Sequence, residues 1–258
     1  MSSIVKNLGY RVNHGDIDVK KLSAVLDRAY AAKNKPEFKQ KTSFAPSGMG
    51  FQGRCPRYWF IAFDGAEFIE NRRGEDYANM QAGTDAHERI GALLEESDLE
   101  IIDLEKEFWH DDPPIHGFID GIIDRAGEEV VLEVKTTRAE AFRARQAKMQ
   151  AADYQLIQLL IYMYLRGAQS GVFLFENKNT HEILLIPVYM DDKNKEIVEK
   201  TLRWMREVKT LHEDRLLPKH PFQKNSKVCK KCPVRKSCFD ADQYGEGDIE
   251  FDPLPTVR

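Results

Sequence analysis

The sequence predicts an α/β domain with a mixed central sheet, helices on both sides of it and a cysteine cluster that joins its ends. Two apolar, β-branched-rich runs at 118–123 and 130–134 flank a turn signal, which indicates paired antiparallel strands. Helical patterns at 83–97, 153–165 and 193–213 surround these and further short strands. Such an arrangement favours one layered α/β domain of ordinary size.

This hairpin carries two carboxylates and a lysine. If its turn is centred between Ala126 and Gly127, facing residues have numbers that sum to 253, so Asp120 faces Glu133. Side chains alternate along a strand, so Glu133 and Lys135 share a face. The opposite, core-facing side is expected to consist of Ile119, Ile123, Val130, Leu132 and Val134.

Two facing carboxylates repel each other and need a compensating cation. Lys135 supplies part of that charge. A divalent metal held by Asp120, Glu133 and the backbone oxygen between them would supply the rest, because hard oxygen ligands suit Mg²⁺ or Mn²⁺. The alternative is a solvent-facing strand with ordinary charges.

The composition excludes several classes of protein. The 258 residues are 42% hydrophobic and 31% charged, and the net charge is -4, so any nucleic-acid contact has to come from local clusters. No run is apolar enough to span a bilayer, and the beginning of the chain lacks the apolar core of a signal peptide. We therefore expect a cytoplasmic protein that does not enter membranes.

Three segments are expected along the chain. Residues 1–42 hold a helix at 19–32 and a lysine-rich connector, residues 43–240 hold the main domain, and residues 241–258 form an acidic tail that we expect to be flexible. The main domain also contains the predicted strand at 100–109.

One histidine lies on a predicted helix ahead of the hairpin. His87 follows Gly83 by one turn and lies near an apolar stripe that includes Ile90 and Leu94. A lone histidine at such a position is either a core residue or a ligand.

Polar residues on two later segments are further candidates for the site. The helix at 153–165 is apolar on nearly every side, yet Gln155, Gln158 and Tyr162 form one stripe, which indicates that it faces a site or an ordered network. The segment before it begins beside the hairpin and is either a solvated face or a set of phosphate contacts. Its cations are Arg138, Arg143, Arg145 and Lys148.

The four cysteines form a distinctive pattern of three close residues and one distant one. They are Cys55, Cys229, Cys232 and Cys238, the last three surrounded by lysines and arginines that lower thiol pKa values and offset cluster charge. In a reducing compartment this pattern favours ligation of a metal or cluster. A closed zinc site is the main alternative, and disulfides are the weaker one.

Residues of the hairpin resemble the catalytic core of PD-(D/E)XK nucleases. A Gly-x-x-Asp motif ends at Asp120, and Glu-Val-Lys runs from Glu133 to Lys135. The proline of the family's name is replaced by Ile119. The resemblance implies a restriction-endonuclease-like fold.

Other motifs resemble the RecB-like branch of this superfamily. Gly83 to His87 is similar to its Gly-x-x-x-His helix, and Gln158 to Tyr162 is similar to its Gln-x-x-x-Tyr motif. The order of the four cysteines resembles that in the CRISPR-associated exonucleases and the AddB nuclease, and it implies a [4Fe-4S] cluster. The implied catalytic residues are Asp120, Glu133, Lys135, Gln158 and Tyr162, and the implied metal ligands are His87, Asp120, Glu133 and the Val134 carbonyl.

The resemblance implies a DNA exonuclease that depends on Mg²⁺ or Mn²⁺. It would act on single-stranded DNA or DNA ends in recombination, repair, phage DNA processing or CRISPR adaptation, with DNA and a protein of one of those pathways as partners. Lys135 would orient or deprotonate the attacking water, and an amine beside a metal can have a depressed pKa. The alternatives are a structure-specific endonuclease, a non-catalytic scaffold that binds DNA ends, and a zinc-bound regulatory module.

Overall fold

A computed structural model describes residues 18–33, 40–69 and 72–255. Residues 18–33 and 72–79 form a small unit, and residues 40–69 and 80–255 form the larger unit, which contains the sheet. The predicted helix at 19–32 is present in the small unit as α1 (Val19–Lys33). The connector predicted to follow it lies mostly outside the described residues.

The larger unit is built on one mixed sheet of five strands. The strand order is β1-β2-β3-β4-β5, with β3 and β4 parallel and the other neighbours antiparallel. This arrangement, with helices packed on it, confirms the predicted α/β fold. The strands are β1 (Ile101–His110), β2 (Ile115–Arg125), β3 (Glu128–Thr137), β4 (Ser170–Asn177) and β5 (Ile183–Tyr189).

Helices cover both faces of the sheet. One buried cluster joins Leu132 and Val134 of β3 to Ile90 and Leu94, and a larger cluster contains Val131 of the same strand. Because side chains alternate along a strand, these clusters lie on opposite faces. The helices are α2 (Pro56–Phe63), α3 (Gly74–Glu95), α4 (Ala139–Lys148), α5 (Asp153–Arg166), α6 (Asp192–Glu213), α7 (Lys227–Lys230) and α8 (Arg235–Cys238).

The hairpin of β2 and β3 has the predicted register. Gly121 pairs with Leu132 and Arg125 pairs with Glu128, so the pair numbers sum to 253 as expected. Ala126 and Gly127 both have positive φ angles, +57° and +86°, which is the backbone of a tight hairpin turn between right-twisted strands. The turn therefore fixes which side chains of the two strands meet.

The predicted division of β3 into a core face and an open face is wrong. Leu132 and Val134 are buried as expected, but Val131 and Glu133 on the other face are each 0% exposed. The reason is that β4 extends the sheet beside β3 and helices pack on both sides.

Two helices differ from the sequence-based boundaries. The helix expected from Gly83 begins earlier, at Gly74, so Gly83 lies in its interior. The cationic segment after the hairpin forms α4. The predicted helices at 153–165 and 193–213 are present as α5 and α6. Gly167 ends α5 with a φ of +75°, the left-handed conformation that is common for glycine at the end of a helix.

The acidic tail, expected to be flexible, packs against the larger unit over its described part. Leu254 is 0% exposed, and its amide donates a hydrogen bond to the Arg54 carbonyl at 3.0 Å. The Trp204 indole donates to the carbonyl of Asp252, also at 3.0 Å. A few apolar residues among the charges are sufficient to anchor the segment.

Within the residues that the structure describes, no helix has the length and apolar character needed to cross a membrane.

Candidate active site

Asp120 is held where β2 and β3 cease to pair. The last backbone-paired residues of the two strands are Gly121 and Leu132. Beyond this pair, the side-chain oxygen Oδ2 of Asp120 accepts a hydrogen bond from the Val134 amide at 2.6 Å. This bond replaces a ladder bond and fixes the carboxylate beside the strand that carries Glu133 and Lys135. The predicted neighbourhood of these residues therefore exists at the open end of the hairpin.

His87 of α3 approaches the same carboxylate. Its Nδ1 lies 3.5 Å from Asp120 Oδ1 and 3.5 Å from Glu105 Oε1. One ligand atom from each of these three residues lies within 4.8 Å of the others, a spacing that can hold a metal ion. The structure thus brings His87 and Asp120 together, as the sequence motifs predict.

Glu105 is a candidate ligand that the sequence analysis missed. It lies in β1 between Leu104, which pairs with Gly121, and Lys106, which pairs with Ile119, so the register sets it opposite Asp120. Its φ is +48°, an uncommon conformation for glutamate. The alternating acidic residues of this strand were a weak signal, because nothing local in the sequence fixes the register of β1 against β2.

Glu133 is a buried carboxylate with incomplete partners. It is 0% exposed, and among the described residues its Oε2 has no hydrogen-bond partner. The Lys135 ammonium lies against Oε1 as an ion pair. Burial and the charge of Asp120 raise the pKa of Glu133 to about 8. A buried carboxylate with one unsatisfied oxygen beside a second carboxylate fits a divalent cation, which would provide the missing interaction.

The carboxylates around Lys135 set the pKa of its ammonium group. Burial opposes its charge, but the carboxylates of Glu133 and Asp120 outweigh this effect and raise its pKa above the usual value. The side chain is therefore a charged ammonium in the structure, suited to donating hydrogen bonds and attracting phosphate.

Tyr162 packs closely beneath the β2 segment that leads to Asp120. It is 1% exposed and accepts a hydrogen bond from the backbone of Phe118. A β-carbon on Gly117 would clash with the Tyr162 hydroxyl oxygen, so the glycine of the Gly-x-x-Asp motif is required for this close approach. Gln158 precedes Tyr162 by about one turn and is also buried.

The third polar residue of that helix has a structural partner. Gln155 Oε1 accepts hydrogen bonds from the Ala152 amide and from Arg145, both at 3.2 Å. The Arg145 guanidinium also lies 4.9 Å from the centre of the Phe175 ring. Arg145, expected to contact DNA, is therefore engaged within the fold, whereas Arg138, Arg143 and Lys148 are exposed.

A solvent-filled cleft of about 640 Å³ opens onto the site. Its walls are α3, including His87 and Glu88, and the strands that carry Glu105, Asp120 and Val134. A substrate can thus reach the Asp120 side of the site from solution, while Glu133 remains enclosed behind it.

The four cysteines meet in a second cavity, although Cys55 is distant from the others in sequence. Burial raises the pKa of Cys55 and Cys238, and it raises that of Cys232 to about 12. Removing a thiol proton there requires a strong positive partner, as in ligation by a metal or cluster. The cavity walls also include His220, whose Nδ1 lies 3.6 Å from Cys238 Sγ.

A buried arginine supports an anionic group in this cavity. Arg57 is 0% exposed and donates hydrogen bonds to Cys238 Sγ at 3.3 Å, to the Cys238 carbonyl at 3.1 Å and to the Pro218 carbonyl at 2.9 Å. Within the described parts of the chain, no carboxylate forms an ion pair with it. A buried cation needs a counter-charge, and ligated thiolates would supply it.

The raised pKa of Glu133 predicts that metal binding depends on pH. Below about pH 8 the carboxyl retains a proton that a metal has to displace. The affinity for Mn²⁺ should therefore fall about fivefold from pH 8 to pH 7 and level off above pH 9. Calorimetric titration in buffers of different ionisation enthalpy would measure both the affinity and the released proton. Glu88→Gln, in the cleft wall, should keep this dependence, and an unchanged affinity across this range would contradict the assignment.

Comparisons with known proteins agree with this geometry. The model of the PD-(D/E)XK nuclease superfamily matches residues 62–239, more than half of the chain. A search of curated proteins finds no match to this chain.

Solved structures with similar folds include an exonuclease. The alkaline exonuclease LHK-Exo from Laribacter hongkongensis aligns with 73% of this chain and 95% of its own, at a TM-score of 0.52 and 12% identity. Its complex with dAMP aligns with 67% of this chain and 91% of its own, at a TM-score of 0.52 and 14% identity. A structure of SSO0001 aligns with 84% of this chain and 96% of its own, at a TM-score of 0.46 and 16% identity.

Proposed function

Because the chain belongs to the PD-(D/E)XK nuclease superfamily, we propose that it is a metal-dependent DNA exonuclease acting on single-stranded DNA or DNA ends. The observation that carries this proposal is the buried Glu133 carboxylate, which is only partly paired by Lys135 and lies in the same site as Asp120 and His87. The similar fold of an alkaline exonuclease, solved also with a nucleotide, supports removal of nucleotides from an end.

The residues that would hold the metal surround the open end of the hairpin. They are Asp120, Glu133, His87 and the Val134 carbonyl, with Glu105 as an additional carboxylate. Oxygen ligands suit Mg²⁺, and the imidazole makes Mn²⁺ an equally suitable ion. When bound, such an ion lowers the pKa of water and neutralises charge on the phosphate.

Lys135 would stabilise the phosphate during hydrolysis. Its ammonium is charged and lies against Glu133, so it can orient the attacking water or donate a hydrogen bond to a phosphate oxygen as negative charge develops there. Tyr162 holds the strand before Asp120 through the Phe118 backbone. Gln158 and Tyr162 are therefore proposed as positioning residues, and Arg138, Arg143 and Lys148 as contacts to the DNA backbone.

The cysteine cavity is proposed to hold a [4Fe-4S] cluster, as in the RecB-like branch. The four thiols line one cavity, and the buried Arg57 guanidinium beside Cys238 would offset part of the negative charge of such a cluster. Its role would be to tie Cys55 to the end of a nuclease domain that spans residues 43–240, in a cytoplasm where thiols stay reduced.

The proposed biological setting is recombination, repair, phage DNA processing or CRISPR adaptation. These pathways share a need to trim DNA ends or single strands.

The test is cleavage of end-labelled linear single-stranded DNA by anaerobically purified protein with Mn²⁺, Mg²⁺ or EDTA. We expect metal-dependent shortening from an end, no cleavage in EDTA and at least a hundredfold slower cleavage by Lys135→Ala. Cleavage of circular single strands would favour a structure-specific endonuclease. Tight DNA binding without any cleavage would favour the scaffold, and equal cleavage by both proteins would overturn the assigned site.

A further inference from the structure

Three aromatic side chains form an exposed strip at one end of the β1-β2 hairpin. Trp109 is 61% exposed and Phe118 is 49% exposed. His116 lies between them: its ring stacks on Trp109 with centroids 3.8 Å apart at 17°, and it meets Phe118 edge-on at 5.6 Å. We call Trp109, His116 and Phe118 the aromatic strip.

The strip leads to the candidate active site along one face of β2. Ile115 and Ile119 are both 0% exposed, whereas His116, Phe118 and Asp120 are less buried, as alternation along the strand requires. Two residues of a strand span about 7 Å, so Phe118 lies next to Asp120 and His116 is one step further away. An extended polymer bound at Asp120 can therefore continue across the rings of Phe118 and His116.

Trp109 is unlike the other tryptophans of the protein. Trp59 and Trp204 are 1% and 7% exposed, and each indole donates a hydrogen bond to a backbone carbonyl. Trp109 presents an open ring that is nevertheless held in place by His116, which in turn pairs with Glu107 at 3.0 Å. An immobilised ring loses little entropy when a flat ligand stacks on it.

We propose that the aromatic strip is a stacking platform for unpaired bases of the DNA strand whose phosphate is bound at Asp120. This inference rests on the proposed function and deepens it, because it assigns the surface that binds the unpaired bases of the substrate. Base stacking on aromatic side chains tolerates any sequence, since every base has a π-face. Bases in a duplex are already stacked and paired, and they cannot lie flat on the strip.

The charge around the strip favours bases over phosphates. On β1, Glu107 is paired with Phe118, and Glu105, two residues earlier on the same strand, lies beside Asp120. Carboxylates repel the phosphate backbone, so a strand would place its bases on the rings and turn its phosphates away until it reaches the site.

The test is binding of a short oligothymidylate in the presence of Ca²⁺, which takes oxygen ligands as Mg²⁺ does, monitored by tryptophan fluorescence. Trp109 is the only largely exposed tryptophan of the three, so we expect quenching that Trp109→Ala removes. Trp109→Ala and Phe118→Ala should each weaken binding about 5- to 100-fold. Tyr189→Ala is the matched control, because it removes a ring that is 58% exposed at the opposite edge of the sheet. It should bind as the wild type does.

Two further probes separate stacking from electrostatic attraction. An abasic oligonucleotide of equal length and a blunt duplex should both fail to quench Trp109. Quenching by the abasic strand, unchanged affinity in both strip variants, or no binding by the wild type would each overturn the platform. Quenching without metal-dependent cleavage would instead support the platform and refute the nuclease activity, so the two failures are distinguishable.

Discussion

Replacing Asp120 with asparagine is expected to reduce metal-dependent DNA cleavage by about a thousandfold or more. The physical reason is the loss of a negative ligand from the proposed metal site, where a bound ion would supply several kcal/mol of charge stabilisation in the transition state. Asparagine has the same shape, and its carbonyl can still accept the hydrogen bond from Val134. Cleavage of labelled single strands at saturating Mn²⁺ would measure the loss, and calorimetry would show weaker metal binding.

Asp124→Asn is the matched control for this experiment. Asp124 lies four residues further along β2, and its carboxylate also accepts a backbone hydrogen bond, from Gly127 at 2.8 Å. Asp124 lies at the turn of the hairpin, away from the proposed metal ligands at its open end. This variant should therefore cleave DNA at the wild-type rate. Comparable activity of Asp120→Asn and the wild type would refute the assignment of Asp120.

Replacing Cys232 with serine is expected to prevent binding of the proposed cluster and to destabilise the protein. Cys55 and Cys229 are 174 residues apart (229 minus 55), and closing a loop of this length has an entropic cost of about 4–5 kcal/mol in the unfolded chain. Ligand bonds formed in the folded state outweigh this cost, so their loss should lower the Tm by on the order of 10 °C. The brown colour and the bound iron should disappear together.

Ser237→Ala is the control for the cysteine variant. Ser237 is 8% exposed and precedes Cys238 in α8, so it tests whether any change in this short helix has the same effect. It should retain iron and the wild-type Tm. A colourless wild type with about one zinc per chain would favour zinc instead, and iron retained by Cys232→Ser would exclude Cys232 as a ligand.

The site was partly predictable because its central motif is local. A two-residue turn at Ala126 and Gly127 fixes the register of the strands on either side, and the register sets Asp120 near Glu133. His87 required a family motif in addition, since a histidine on an amphipathic helix has no unique partner in sequence. The convergence of the four cysteines was predicted in the same way, and the structure brings them to one cavity.

Burial and long-range packing decided the features that the sequence did not predict. Glu133 has a raised pKa because helices and a parallel strand enclose both faces of β3, which no local pattern encodes. The Arg145 side chain packs within the fold because it donates a hydrogen bond to Gln155 of α5 and lies against the Phe175 ring of β4.

The sequence by itself predicted the fold class and the hairpin register, because these depend on short-range periodicity and turn geometry. It also predicted that Asp120, Glu133 and Lys135 form the site, through their resemblance to a family motif. Only the tertiary structure decided that Glu105 joins His87, that Glu133 is fully enclosed, that the tail packs on the domain and that Trp109 stays open beside the site. Each of these depends on contacts between residues far apart in the chain. Their free energies come from desolvation and packing in the assembled fold, and alternation or spacing along the chain does not specify them.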